Sequence, residues 1–469
     1  MTSHRVVAWI ALAALAAGCA SAIHNDPINV PLSPSAARTI GAATPGSDKP
    51  PITDDVLIAL AFSGGGTRAA AFSFGVLTEM DKARVVINGR RASLIDHLDI
   101  VSGVSGGSVT AAYLGLRKRA ALDDFREKFL LRNAEEAIET DINLITISSA
   151  LAGGVNDSTR LPRWLDRHLF NGATFGTLRK AQRPLVFINA SDIYNRTPFV
   201  FSRPAFAAIC SDLDSYPIAT AVAASAAVPL IFAPVVLKSY PDRCAAKLPA
   251  WIARARSPNA PLMLKAFADA IGRYREGQVP YIKLLDGGLV DNFGISGFTI
   301  ARLSADTPYG PLSPQEAVLL RRVLFLVVDA GRGPSGNWVN TVAGPSGADL
   351  VVATADTAID AGTRAGLTAF ETVLNNWQQA LVQWRCGLSA AERRRLGAPA
   401  GWNCRNIKLH IDRIGFDQFD PAREAALNAV QTRFRLPQQQ VDMVIAAGAN
   451  ALARNRTYRA FLASVGGRQ

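Results

Sequence analysis

From Val56 onward, short apolar runs alternate with glycine-rich turns and helix-like segments. The run V-L-I-A-L-A-F at 56–62 has no polar interruption, as expected for a parallel strand that is buried on both faces. Further strand-like runs lie at 97–102, 184–192, 281–286, 323–331 and 406–414. Strands that alternate with helices predict an α/β fold with a mostly parallel sheet flanked by helices. The last third of the chain is expected to be mostly helical.

The first 55 residues do not follow this pattern. Two basic residues precede a short apolar run that has the length of a signal-peptide hydrophobic region. The following L-A-A-G-C-A-S resembles a bacterial lipobox, although Ala16 stands where leucine is usual, and an ordinary secretory signal is the alternative. We therefore expect a lipoprotein signal peptide over 1–18, lipidation at Cys19 and a flexible tether over 19–55. The protein is then expected at the bacterial outer membrane, facing the periplasm.

Composition agrees with a large globular body after the tether. Apolar residues make up 49% and charged residues only 19% of the chain, which argues against extensive disorder. The net charge is +12, but no motif interleaves basic with aromatic residues, so we expect no nucleic-acid partner. We expect one catalytic domain over 56–331 and a mostly helical C-terminal extension over 332–469.

Four cysteines remain once Cys19 is assigned to the anchor: Cys210, Cys244, Cys386 and Cys404. An even number in an exported chain predicts two disulfides, for which three pairings are possible. Pairing of sequence neighbours closes the shortest loops. The sequence has no C-x-x-C motif or His–Cys cluster, so we expect no metal site.

A candidate nucleophile lies in G-V-S-G-G at 103–107, between a strand-like run and a helix-like segment. This pattern is that of a nucleophile elbow, in which glycines two residues before and after the serine relieve crowding in a tight turn. Ser105 is the serine flanked in this way. A turn without catalytic meaning is the alternative.

The G-G-G-T-R stretch after the first strand is a candidate oxyanion loop. Gly64, Gly65 and Gly66 expose main-chain N–H groups, and Arg68 follows them. Two other interpretations exist, a glycine turn that allows close packing and a dinucleotide-binding fingerprint formed with Ala69. The fingerprint requires an acidic residue at the end of the second strand, and the stretch expected there lacks one.

The candidate base is Asp286, in L-L-D-G-G, where two glycines allow a sharp turn after a strand. A carboxylate at a strand end can face the other two loops, and partial desolvation would make it a stronger base. Asp329 follows a similar strand without the double glycine. Of the five histidines, His410 alone fits the chain order serine, acid, histidine, but it lies within a strand-like run.

These blocks, together with A-S-A-A-V-P-L-I-F-A-P at 224–234, resemble those of patatin-like phospholipases over Val56–Gly331. The resemblance implies a three-layer α/β/α fold, a Ser105–Asp286 dyad, an oxyanion loop over 64–68 and acyl-ester hydrolysis of membrane lipids without a metal or organic cofactor. It also suggests acyl-chain contacts by Val228, Leu230 and Phe232, for which core packing is the alternative. A lipid acyltransferase and a non-catalytic lipid-binding lipoprotein remain the other functional hypotheses.

Overall fold

A computed structural model describes residues 24–35, 54–87, 89–138, 154–244, 248–334, 336–345 and 347–467. The expected signal peptide, the expected lipidation at Cys19 and the stretches 19–23 and 36–53 of the expected tether lie outside these residues. Within the described ranges, no helix combines the length and the apolar character needed to cross a membrane.

The core is an eight-stranded sheet with the order β10-β9-β1-β4-β5-β8-β7, and β6 pairs with β5. The strands are β1 Val56–Phe62, β4 Ile100–Val104, β5 Leu185–Asp192, β6 Thr197–Val200, β7 Val235–Lys238, β8 Tyr281–Asp286, β9 Arg322–Val328 and β10 Lys408–Ile414; β2 Arg84–Ile87 and β3 Arg90–Ser93 form a separate hairpin. The path from β10 to β5 is parallel, whereas β6, β7 and β8 pair antiparallel. The predicted mostly parallel sheet is confirmed.

Helices cover both faces of this sheet. They are α1 Gly66–Lys82, α2 Gly106–Arg117, α3 Ala121–Phe125, α4 Arg160–Leu165, α5 Phe175–Ala181, α6 Arg203–Ala208, α7 Ile218–Ser225, α8 Ala250–Ala255, α9 Leu262–Arg275, α10 Gly288–Asp291, α11 Ser296–Ser304, α12 Pro314–Leu319, α13 Ala348–Cys386, α14 Ala390–Arg395, α15 Pro421–Asn428, α16 Gln438–Arg454 and α17 Arg456–Ser464. Along β1, Leu60 belongs to the apolar cluster of the α1 and α16 layer, while Ala61 belongs to the cluster with Phe370 of α13. This alternation produces the three-layer α/β/α arrangement.

The C-terminal residues belong to the same folded body. β10 adds a parallel strand beside β9, and α16 packs closely along α1. A Cβ atom on Gly75 would lie 2.0 Å from the carbonyl oxygen of Ile445, and one on Gly448 would lie 2.2 Å from that of Phe72. The backbones of the two helices are therefore in direct contact. Because α1 begins at the glycine loop, this packing also fixes the helix that follows that loop.

The N-terminal residues 24–35 also pack on the body, although we expected them within a flexible tether. The Asn25 amide donates to the carbonyl oxygens of Ala233 and Pro234, and the Asn29 amide donates to Ser211 and Lys238. Both asparagines are buried. Fixed hydrogen bonds of this kind are not visible in composition, which is why a polar stretch read as a tether contains a docked segment.

Two disulfides join sequence neighbours. Cys210 pairs with Cys244 and Cys386 pairs with Cys404, with Cα atoms 5.4 and 4.9 Å apart. The second bridge lies beside Arg385, whose buried guanidinium donates to the carbonyl oxygens of Leu320 and Asn403. The Cys386–Cys404 disulfide thereby joins the end of the long helix α13 to the loop before β10.

Candidate active site

Ser105 occupies a tight turn between β4 and α2. Its φ of 51° lies in the left-handed region, and its side chain is buried with 5% of the residue exposed. A Cβ atom on Gly103 would lie 2.5 Å from the Gly107 carbonyl oxygen, and one on Gly106 would lie 1.9 Å from that of Gly66. Other residues would clash at these positions, so the glycines allow both the turn and its close approach to the α1 loop.

Asp286 ends β8 directly beside this turn. Its Oδ1 accepts the N–H of Gly288 at 2.8 Å. Burial raises the pKa of Asp286 to about 6, against the opposing effect of hydrogen bonds from Gly288 and from the side chain of Ser105. Desolvation thus makes this carboxylate a better proton acceptor than an exposed one, while its partners still favour the charged form.

The glycine loop lies against the nucleophile, since a Cβ atom on Gly64 would be 3.5 Å from Cβ of Ser105. The Gly64 N–H is already used by the main-chain and side-chain oxygens of Asn292, at 3.1 and 3.2 Å. Helices α1 and α2 begin at Gly66 and Gly106 and leave their first N–H groups without intrahelical acceptors. The N–H groups of Gly65, Gly66 and Gly106 are therefore the main-chain donors suited to an oxyanion.

Arg68 lies in the predicted oxyanion block, but its side chain points to neighbouring loops. The residue is 2% exposed, and its guanidinium donates to the carbonyl oxygens of Ala330 and Val430 at 3.0 and 2.7 Å. Burial lowers its pKa to about 9. These bonds tie the start of α1 to the chain after β9 and to the C-terminal region, so Arg68 positions the loop.

A second C-terminal contact holds the same loop. The carbonyl oxygen of Arg433 accepts the Thr67 N–H at 2.8 Å, and a Cβ atom on Gly66 would lie 2.6 Å from this oxygen. The Arg433 guanidinium in turn pairs with Glu135 at 2.9 Å. Sequence reasoning missed this brace because its partners are separated by hundreds of residues.

Ser225, at the end of α7, links both halves of the site. Its Oγ accepts the N–H of Ser105 at 2.8 Å and donates to the carbonyl oxygen of Asn189 at 2.6 Å. The main-chain carbonyl oxygen of Ser225 accepts the N–H of Gly287, and that of Ala227 accepts the N–H of Asp286. Ser225 belongs to the A-S-A-A-V-P block, but the sequence of that block does not predict its hydrogen bond to Ser105.

The three predicted acyl-chain residues take different places. Phe232 is 5% exposed and lines a small depression with Leu161, Pro162, Ala223, Ala227 and Val235. Val228 is half-buried, whereas Leu230 is 47% exposed at the surface. Phe232 is thus the one that forms part of an apolar wall next to the turn that follows Ala227.

The rival bases lie away from Ser105. His410 is on the edge strand β10, separated from β4 by two strands, which places it about 14 Å away across the sheet. Asp329 accepts the N–H of Gly331 and pairs with Arg413 at 2.9 Å. Among the residues that the structure describes, no group of three potential ligands suited to a metal ion occurs.

Comparisons with known proteins place this geometry in a family. No curated protein sequence matches the chain. Human GIVD cytosolic phospholipase A2 is a similar solved structure, with a TM-score of 0.40, 10% identity, and coverage of 87% of this chain and 60% of that one, so the chain spans less than two thirds of its length. VipD from Legionella pneumophila follows, with a TM-score of 0.32, 14% identity and coverage of 89% and 68%. The model of the patatin-like phospholipase family matches residues 60–299, just over half of the chain, and the chain belongs to that family.

Proposed function

We propose that this chain is a serine lipid acyl hydrolase of the phospholipase A or lysophospholipase type. The observation that carries the proposal is the pairing of Ser105 with the buried carboxylate of Asp286, whose pKa is raised to about 6. A base with this pKa is ionised at neutral pH and still accepts a proton more readily than an exposed carboxylate. The strained turn and the glycine loop supply the other two parts of an acyl-transfer site.

In the first half-reaction, Ser105 Oγ attacks the ester carbonyl carbon while its proton passes to Asp286. The carbonyl oxygen becomes an oxyanion that accepts hydrogen bonds from Gly65, Gly66 and Gly106, worth about 3 kcal/mol for each well-placed donor. The carbon–oxygen ester bond then breaks, and the leaving alcohol takes the proton from Asp286. The product is an acyl-serine and a free lysolipid or glycerol derivative.

In the second half-reaction, the same carboxylate deprotonates a water molecule that attacks the acyl-serine. The tetrahedral intermediate collapses, Ser105 recovers its proton from Asp286, and the fatty acid leaves. An alcohol in place of water would yield a new ester, so the acyl-enzyme serves a hydrolase and an acyltransferase equally.

The deciding experiment incubates the purified chain with mixed bacterial phospholipids and analyses the products by mass. The proposal expects free fatty acid and lysophospholipid from the wild type and neither from Ser105→Ala. New esters with an added acceptor alcohol, in excess over free fatty acid, would identify an acyltransferase. Unchanged lipids in both samples would favour a non-catalytic lipid-binding protein and contradict the proposal.

For the location of the chain, we propose the lipid anchor at Cys19 and a periplasmic position at the outer membrane. The support is the G-C dipeptide after the short apolar run, followed by Ala20. Cys19→Ser should remove metabolic labelling by fatty acid and release the protein from membranes. A wild-type protein that is unlabelled and already soluble would contradict the anchor.

A further inference from the structure

The turn 228–232 exposes two aliphatic side chains next to the candidate site. Leu230 is 47% and Ile231 is 39% exposed, while Phe232 turns inward to the apolar depression. The turn starts directly after Ala227, whose carbonyl oxygen accepts the main-chain N–H of Asp286. Exposed aliphatic side chains that continue a buried apolar wall are a feature of binding surfaces.

The backbone holds Leu230 outward against its own preference. Its φ is 71°, in the left-handed region that glycine and asparagine adopt far more readily than leucine. The next residue is fixed, since the carbonyl oxygen of Ile231 accepts the N–H groups of Val155 and Asn156. A bulky apolar residue kept in a strained and exposed position indicates a function for the side chain itself.

The docked N-terminal segment begins beside the turn and then follows β7 away from it. Asn25 donates to Ala233 and Pro234 just after the turn, and its Oδ1 accepts the N–H of Ser158. Asn25 and Asn29 face the body, and the intervening and following residues Ile28 and Val30 are 51% and 46% exposed. Asn29 bonds to Lys238, at the opposite end of β7 from the turn, so Ile28 and Val30 lie away from Leu230 and Ile231.

The position of Cys19 connects this surface with a membrane. Four residues separate it from His24, where the described segment begins, and the five residue steps span at most about 18 Å when fully extended. An anchor at Cys19 would keep the turn 228–232 close to the bilayer. Exposed basic residues next to the turn, Arg160 and Arg163 on α4, suit the anionic head groups of such a surface.

We propose that Leu230 and Ile231 form a lipid-docking surface that inserts into the interfacial region of a membrane. The occupant is a lipid surface because an anchor at Cys19 would hold the turn close to a bilayer, and because the exposed Arg160 and Arg163 suit its anionic head groups. The exposed pair directly adjoins Phe232, which lines the small apolar depression. The docking surface rests on the proposed function in so far as the docked lipid is also the substrate.

The test measures binding without turnover and without an anchor. The full chain carries Cys19→Ser and Ser105→Ala, and its sedimentation with vesicles of phosphatidylethanolamine and phosphatidylglycerol is measured. Leu230→Asn combined with Ile231→Ser removes the exposed pair, and asparagine accepts the positive φ, so the fold is retained. Val86→Ser is the control: Val86 is 51% exposed in the hairpin beyond the end of α1, a 17-residue helix about 25 Å long that starts at the site.

The docking surface predicts that the double substitution raises the vesicle Kd by about tenfold per side chain, with unchanged or higher thermal stability, while the control changes it less than twofold. Equal affinity of the double variant and the control would overturn it. Wild-type dimers that the double variant loses would overturn it too, since the surface would then join two copies of this chain. Because Ser105→Ala abolishes turnover in every sample, a failure of the proposed hydrolysis leaves this result unaffected.

Discussion

The hydroxyl of Ser225 accepts the main-chain N–H of Ser105 at 2.8 Å and donates to Asn189 at 2.6 Å. The Ser225 side chain thus joins the nucleophile turn to β5. The main-chain carbonyl oxygen of Ser225 accepts the N–H of Gly287, which follows the candidate base. The position of Ser105 relative to Asp286 thus depends on a residue that takes no part in the chemistry.

Ser225→Ala should leave the N–H of Ser105 and the carbonyl of Asn189 unpaired in a buried place. We expect a loss of about 1–3 kcal/mol in the free energy of unfolding and a fall of at least tenfold in kcat, with little change in KM. Ser304→Ala is the matched control, because Ser304 is also buried and its hydroxyl donates to the carbonyl oxygen of Ala301 in its own helix. Equal kcat in both variants would remove the positioning role.

Arg68→Met should release the glycine loop by removing the bonds to Ala330 and Val430. We expect a loss on the order of 2–3 kcal/mol in unfolding free energy together with a reduced kcat, partly restored in Arg68→Lys. Glu135→Ala, which loosens Arg433 on the other side of the loop, should lower kcat in the same direction. If Glu135→Ala has no effect on kcat while Arg68→Met abolishes it, Arg68 acts directly on the oxyanion.

The raised pKa of Asp286 predicts how the rate depends on pH. The carboxylate must be ionised to accept the proton of Ser105, so kcat/KM for a soluble ester should rise with pH through about 6 and then level off. The profile of the free enzyme is the quantity to measure. A profile without an ionisation between pH 5 and 7 would contradict Asp286 as the base.

Stability should change with pH in the opposite direction. The folded-state pKa of Asp286 exceeds the unfolded value of 3.8, so its contribution to stability is fully present below about 3.8 and is lost as pH rises through about 6. Asp286→Asn carries no charge and should unfold less readily than the wild type above pH 7, by up to about 3 kcal/mol, with the difference vanishing near pH 4. Denaturant titrations at both pH values measure this difference.

Short sequence blocks predicted the features that depend on neighbouring residues, namely strands and tight turns. The apolar runs identified the parallel strands, and paired glycines identified the turns at Ser105 and Asp286. The direction of β8 did not follow from its residues: we expected Asp286 at the common carboxyl edge of parallel strands, and it arrives instead on an antiparallel strand opposite Ala190. The side-chain pattern Y-I-K-L-L-D predicts a strand but does not show whether that strand runs parallel or antiparallel to its neighbour.

Contacts between distant segments were also beyond the sequence. Asn292 accepts hydrogen bonds from the N–H of Gly64, and the carbonyl oxygen of Arg433 accepts one from the N–H of Thr67. The tertiary fold brings these distant segments together. The sequence around Asn25 predicts a tether, because the residues that it buries against the body include two asparagines, whereas most packed segments are marked by apolar residues. Each of these features depends on single hydrogen bonds, which leave no periodic signal.

The most direct test of the Ser105–Asp286 proposal compares three variants at matched thermal stability. The rate of covalent labelling by a fluorophosphonate and the turnover of a soluble ester are measured for Ser105→Ala, Asp286→Asn and His410→Gln. The dyad predicts no labelling of Ser105→Ala, a loss of several orders of magnitude in Asp286→Asn, and nearly wild-type rates in His410→Gln. An inactive His410→Gln together with an active Asp286→Asn would contradict it.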